Sequence, residues 1–116
     1  MENLIRNLKR PYRGTQEEII KHVERYCKAY NYSYTNLVIG TPFTTFTVYS
    51  NISYEELVAK LVAEKYTQAE ESAIQRKAIM NGIKDEFLTY NTYVEECKTR
   101  AKEFIAQREK ALGGNN

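Results

Sequence analysis

From Lys84 to Leu112 the chain runs without a proline or a glycine, and no other feature constrains the fold as much. Phe87, Tyr90, Val94, Cys97, Ala101 and Phe104 recur in this stretch at spacings of three and four. That is the seam of a long heptad-patterned helix. At 1.5 Å of rise per residue such a helix runs on the order of 40 Å. A compact domain of this size has a radius of gyration of only ~13 Å. The end of the helix is therefore expected to project or to pack on a second subunit, and the six seam residues are the expected contact of a homo-oligomer. Arg108 falls in the seam, so the paired section is expected to end near Ile105. Gly113 through Asn116 read as a helix stop and a frayed tail.

Three capping boxes predict the other helices. Thr15-Gln16-Glu17-Glu18 places a hydroxyl and a carboxylate where each can bond the other's backbone amide. Behind it, Ile19, Ile20, Val23, Tyr26, Cys27 and Tyr30 form one apolar face, and Asn31 is the expected stop. Ser53-Tyr54-Glu55-Glu56 opens a short helix with Leu57, Val58, Leu61 and Val62 as its apolar positions. Thr67-Gln68-Ala69-Glu70 opens another, carrying Ala69, Ala73, Ile74, Ala78 and Met80 and ending at Asn81-Gly82.

Between residues 34 and 50 the period changes. Leu37-Val38-Ile39 leads into Gly40-Thr41-Pro42 and then Phe43-Thr44-Thr45-Phe46-Thr47-Val48-Tyr49. Thr, Val, Phe and Tyr favour strands, and the Gly and Pro mark a turn. The expected element is a β-hairpin. Two strands alone are marginal in water. The hairpin must therefore pack on helices, gain a strand from the N-terminal residues, or pair with another chain. The predicted class is α+β and mainly helical: an N-terminal helix, a β-hairpin, then three helices of which the last is long. The chain divides into an arm over residues 1–14, one domain over 15–112 and a tail over 113–116.

The arm carries the only strong charge bias. Arg6, Lys9, Arg10 and Arg13 face a single acid, Glu2. Leu4, Ile5 and Leu8 suggest a short helical stripe that Pro11 and Gly14 interrupt. Arg6, Lys9, Arg10 and Arg13, with Tyr12 among them, are the candidate contact for nucleic acid or for an acidic protein partner, since such cations lie on phosphates while a tyrosine stacks on a base. The net charge of the whole chain is only +2, which does not by itself imply a polyanion partner. Ten tyrosines stand against no tryptophan. Tyr26, Tyr30, Tyr32 and Tyr34 bracket the end of the first predicted helix, where they suit half-buried packing, a protein interface or a ligand pocket.

Catalytic chemistry is hard to place. His22 is the only histidine and has no nucleophile signature around it. No Cys/His group has zinc spacing, and no phosphate loop or dinucleotide fingerprint is present. The paired glutamates Glu55-Glu56, Glu70-Glu71 and Glu95-Glu96 read as caps and solvated faces. Neither catalysis, a metal nor a cofactor is expected. Cys27 and Cys97 sit at apolar helical positions and read as buried free thiols. The start of the sequence has no signal-peptide pattern and no stretch is apolar enough for a membrane span, which sets the expectation of a reducing, intracellular setting without a membrane role.

The stretch Lys65-Tyr66-Thr67-Gln68-Ala69-Glu70-Glu71-Ser72-Ala73-Ile74, followed by Asp85-Glu86-Phe87, Tyr90-Asn91, Tyr93-Val94-Glu95-Glu96-Cys97-Lys98 and Ala101-Lys102, resembles small uncharacterised proteins encoded by bacteriophages and prophages. The resemblance spans residues 62–105. It implies a phage setting, in the host cytoplasm or the virion, and no site residues. The leading expectation is a non-enzymatic accessory protein that binds a host or phage protein, as a virion or assembly component or as an inhibitor. The alternatives are a nucleic-acid-binding module using the basic arm, and a protein that sequesters a small nucleotide.

Overall fold

The computed structural model describes residues 4–82 and 85–113. The order of elements is β1 (Ile5–Arg10), α1 (Gln16–Tyr30), β2 (Tyr32–Val38), β3 (Thr44–Ser50), α2 (Tyr54–Ala63), α3 (Gln68–Asn81) and α4 (Asp85–Gly113). The class is α+β with one antiparallel sheet. The first described element is a strand, which corrects the expectation that a helix comes first. The residues between Leu4 and Arg10, read above as a helical stripe, are extended. Lys84 and the tail residues 114–116 lie outside the described residues.

The described residues form two compact units. One comprises those of Met1–Ile52 and Arg108–Asn116, the other Ser53–Gln107.

In the first unit the hairpin completes itself with a strand from the N-terminal segment. The order is β1-β3-β2, with β3 in the middle and both neighbours antiparallel to it. Successive side chains of a strand alternate between faces. Arg6, Leu8 and Arg10 lie in register with Val48, Phe46 and Thr44, and the residues between them fall on the opposite face. Leu8, Phe46 and Val48 join Val23 and Cys27 of α1 in one core. That pairing explains the strand: extended, β1 buries Leu8 against α1, whereas a free helix of six residues has no nucleus of its own.

The helix limits follow their local chemistry. At α1 both bonds of the Thr15–Glu18 capping box form, and Asn31 closes the helix in the left-handed region at φ 57. Asparagine tolerates that region better than other side-chain-bearing residues. The β2–β3 connection turns through a cis Thr41–Pro42 bond. A bulge between Thr35 and Val38, with Asn36 at φ 56, breaks the register of β2. The side chain of Arg108, at the C-terminal end of α4, donates from Nη1 to the carbonyls of Ser50 (2.9 Å) and Ile52 (2.8 Å), where β3 ends.

In the second unit α2, α3 and the first part of α4 pack around Leu57, Leu61, Val62, Ile74, Tyr90, Cys97, Ala101 and Phe104, all buried. Ser53 caps α2 through the Glu56 amide, and the Thr67–Glu70 box caps α3 with both bonds. Gly82 ends α3 at φ 82. Met80, assigned above to the apolar face of α3, is 73% exposed instead.

Candidate functional site

The strand places the five predicted contact residues in three environments. Arg6 and Arg10 share the α1 side of the sheet with Leu8, and the Arg10 guanidinium lies over the Tyr26 ring at 5.4 Å. Lys9 falls on the other face, with its ammonium over the Phe43 ring at 4.4 Å. Tyr12 and Arg13 follow the strand, and both line a cleft of about 590 Å³. The basic arm is therefore not one continuous patch.

What the fold brings together is an aromatic strip along α1. His22, Tyr26 and Tyr30 are four residues apart, so they lie above one another on one flank of the helix. Tyr12 stacks on His22 with ring centroids 5.2 Å apart and planes 18° apart. Tyr26 meets Tyr30 at 4.8 Å and Tyr32 at 6.2 Å, and Tyr30 meets Tyr32 at 6.2 Å. Tyr26 also stands edge-on to the buried Phe46. The strip is anchored in the core at Tyr26 and opens to solvent at Tyr30, which is 62% exposed. Burial pushes the Tyr12 hydroxyl above its ordinary range, with the nearby Arg10 charge opposing the shift. His22 is the member that composition alone could not place. The signal was available in its i, i+4 spacing to Tyr26.

The cleft lies between the start of α1 and the β2–β3 turn, with Tyr12, Arg13, Gln16, Ile39, Thr41 and Pro42 among its walls. A helix start is a natural anion site. Here the Thr15 and Glu18 amides are already answered. The Thr15 hydroxyl accepts from the Glu18 amide at 3.2 Å, and the Glu18 carboxylate accepts from the Thr15 amide at 3.0 Å. Hydrogen bonds to its carboxylate from the backbone and the side chain of Thr15 hold the Glu18 carboxyl below its ordinary range.

Thr44 is fully buried beside this turn, and its hydroxyl has no hydrogen-bond partner among the described residues. A buried hydroxyl left unpaired forfeits its hydration without return. Thr44→Val is therefore expected to leave stability unchanged or raise it by up to ~1 kcal/mol. Equilibrium urea unfolding checks this. A loss of more than about 1 kcal/mol would show that the hydroxyl is bonded after all.

In the second unit the seam residues are placed within one copy of the chain. Tyr90, Cys97, Ala101 and Phe104 are buried, while Phe87 and Val94 are half-buried. The Tyr90 hydroxyl donates to the Glu71 carboxylate on α3, and the Tyr93 hydroxyl donates to the Leu61 carbonyl at 2.9 Å. Tyr66 stands edge-on to Tyr90 at 5.1 Å. Burial, together with the bond to Glu71 and its charge, pushes the Tyr90 phenol up to about 12 from the ordinary 10.0. The fold therefore holds a proton that the unfolded chain releases near pH 10. This stabilisation is complete below pH 10 and is lost as pH rises toward 12. The difference in ultraviolet titration between wild type and Tyr90→Phe is expected to show one phenol ionising near 12, and Glu71→Gln is expected to lower it. A difference curve centred near 10 would contradict the burial of that hydroxyl. Among the described residues of this unit, Ile79, Met80 and Leu88 are the exposed large apolar ones.

Both cysteines are free and buried, and burial pushes the Cys27 thiol up, away from the thiolate form. Among the described residues no group of three or more His, Cys, Asp or Glu side chains is placed to hold a metal ion, and no helix is long and apolar enough to cross a membrane. Compared with protein-family models, with curated proteins and with solved structures, the chain matches none.

Proposed function

We propose that this chain is a non-enzymatic accessory protein that binds another protein, and that it does so with the aromatic and cationic strip of its first unit. The observation that carries this reading is the preassembled set Arg10, Tyr12, His22, Tyr26, Tyr30 and Tyr32, anchored on Phe46 and exposed at Tyr30. Tyrosine and arginine dominate the residues that carry binding energy at protein interfaces. Rings already stacked on each other lose little side-chain freedom on binding.

Charge favours an acidic partner surface. The sequence segments of the first unit carry nine basic and five acidic residues, a formal +4, whereas those of the second carry eight and ten, a formal −2. Such a charge difference steers the encounter of an acidic partner toward the first unit. The resemblance to phage proteins suggests the setting: a host or phage protein as partner, in the host cytoplasm or the virion. The chemistry around the possible nucleophiles fits a binding role as well. The Cys27 thiol is held neutral by burial, and one ring face of His22 is stacked on Tyr12.

The test is affinity capture with wild type and with a Tyr30→Ser, Arg10→Ser double variant, with and without nuclease. A protein retained by the wild type and lost by the variant supports the reading. Retention that disappears on nuclease treatment assigns the strip to nucleic acid instead. A partner captured equally by both proteins rules the strip out as the contact.

A further inference from the structure

We propose that β1 accepts an extended acidic segment of the partner as a fourth, antiparallel strand of the sheet. This rests on the protein-binding reading above and names the chemistry of the partner segment.

The Ser50 amide donates to the Leu4 carbonyl at 2.8 Å, so Leu4 and Ser50 form a hydrogen-bonded pair. In an antiparallel ladder such pairs alternate. Arg6, Leu8 and Arg10 therefore direct their backbone groups inward to β3, and Ile5, Asn7 and Lys9 direct theirs outward. Six consecutive residues of β1 hold register with β3 without a shift, so this outer edge is regular. The opposite edge of the sheet is broken by the bulge at Asn36. Bulges of that kind prevent further pairing. Among the described residues, the β2 edge is interrupted and the β1 edge carries no further strand.

Charge selects the occupant. Arg6, Lys9 and Arg10 all lie on the open edge strand. Charges on an edge discourage a like strand. A second copy paired along the same edge would bring six cations, three from each strand, into one ladder, and like charges on facing strands repel. An acidic strand meets the opposite condition. The Arg10 guanidinium at present rests on the Lys9 carbonyl at 3.2 Å, one of the outward acceptors. An incoming amide replaces it there and leaves the guanidinium to pair with a carboxylate.

The register gives the pattern. Opposite Arg10, Lys9, Leu8, Asn7, Arg6 and Ile5, read in that order, complementarity asks for acid, acid, apolar, polar, acid and apolar. The blocked peptide Glu-Glu-Val-Thr-Glu-Val realises it.

The experiment titrates this peptide into the full chain, followed by backbone amide NMR, beside a peptide with lysine in place of each glutamate. Asn7→Pro removes an outward amide and no bond to β3, a position where an edge strand tolerates proline. Asn7→Ala is its control, because both variants lose the 2.8 Å bond from the Thr47 hydroxyl to the Asn7 side chain. If the proline variant does not fold, N-methylation of the threonine in the peptide removes a facing strand bond without altering the protein.

The expected result is saturable binding of the acidic peptide with shifts along β1. Asn7→Pro or the methylated peptide is expected to bind about tenfold more weakly, with Asn7→Ala unchanged. No binding of the acidic peptide, equal binding of the lysine peptide, or indifference to both blocks overturns the proposal. So does a wild-type dimer that Asn7→Pro dissociates, which would assign the edge to a second copy. If the peptide fails while a protein is still captured through the strip, the strand proposal falls and the protein-binding reading stands. If both fail, both fall.

Discussion

Phe46→Ala is expected to destabilise the protein by about 3–5 kcal/mol, the range for truncating a buried phenylalanine. Phe46 is 2% exposed, sits on the central strand, and meets the rings of Tyr12, Tyr26 and Tyr34. Removing it empties the centre of the first unit and takes away the ring that Tyr12, Tyr26 and Tyr34 meet. Phe46→Leu keeps most of the volume and is expected to cost less, about 1–1.5 kcal/mol. The loss reaches the candidate site as well, since Tyr26 carries both the Arg10 guanidinium and the contact to Tyr30. Denaturant unfolding of both variants, followed by tyrosine fluorescence and by circular dichroism, measures this. A cost below about 1 kcal/mol for the alanine variant would show that Phe46 is not the packing centre.

The second large effect is expected at Arg108. Its guanidinium places one nitrogen between the carbonyls of Ser50 and Ile52, and its side chain is only 13% exposed. Arg108→Ala removes the charge-assisted donor and leaves two carbonyls at the end of β3 without it. Each hydrogen bond to a charged group is worth about 1.5–3 kcal/mol, and the two share one donor, so a total of about 2–4 kcal/mol is expected. Arg108→Lys is expected to recover part of it, because an ammonium also donates but lacks the planar geometry that fixes the nitrogen between both oxygens. The neighbouring Glu109, 71% exposed at 3.5 Å, adds little by comparison. The denaturation midpoints of the two variants check the order wild type, lysine, alanine. An alanine variant as stable as the wild type would contradict the bridging role.

Much of the fold was legible because its signals are local. Thr15, Ser53 and Thr67 cap the helices they were expected to cap, and Asn31 and Gly82 end the helices they were expected to end. The hairpin about Gly40-Thr41-Pro42 is likewise present. The missed element is β1, and the reason is physical. Leu4, Ile5 and Leu8 suit a helical stripe as well as a strand, and a six-residue segment has no strong propensity of its own. Its conformation is decided by Thr44–Ser50, some forty residues later, which supplies the ladder and the buried face for Leu8.

The candidate site was half visible for the same reason. Its residue types, the arm cations and the tyrosines, stand out in composition. Their arrangement depends on strand alternation, which sends Arg6 and Arg10 to one face and Lys9 to the other. The α4 seam teaches a related lesson. Heptad spacing identifies which residues are to be covered and is silent about what covers them. Tyr90, Cys97, Ala101 and Phe104 are buried within one copy of the chain, and Arg108 marks the place where the apolar pattern gives way to a polar task.

The central claim is that the partner is a protein held on the first unit at the strip and the adjacent strand edge. Hydrogen–deuterium exchange on the captured complex tests it most directly, with peptides covering residues 5–10, 22–32 and 79–88 compared between free and bound protein. Slower exchange on binding over 5–10 and 22–32, with 79–88 unchanged, is the expected result. Slower exchange confined to 79–88, around the exposed Ile79, Met80 and Leu88, would contradict the claim and move the interface to the second unit.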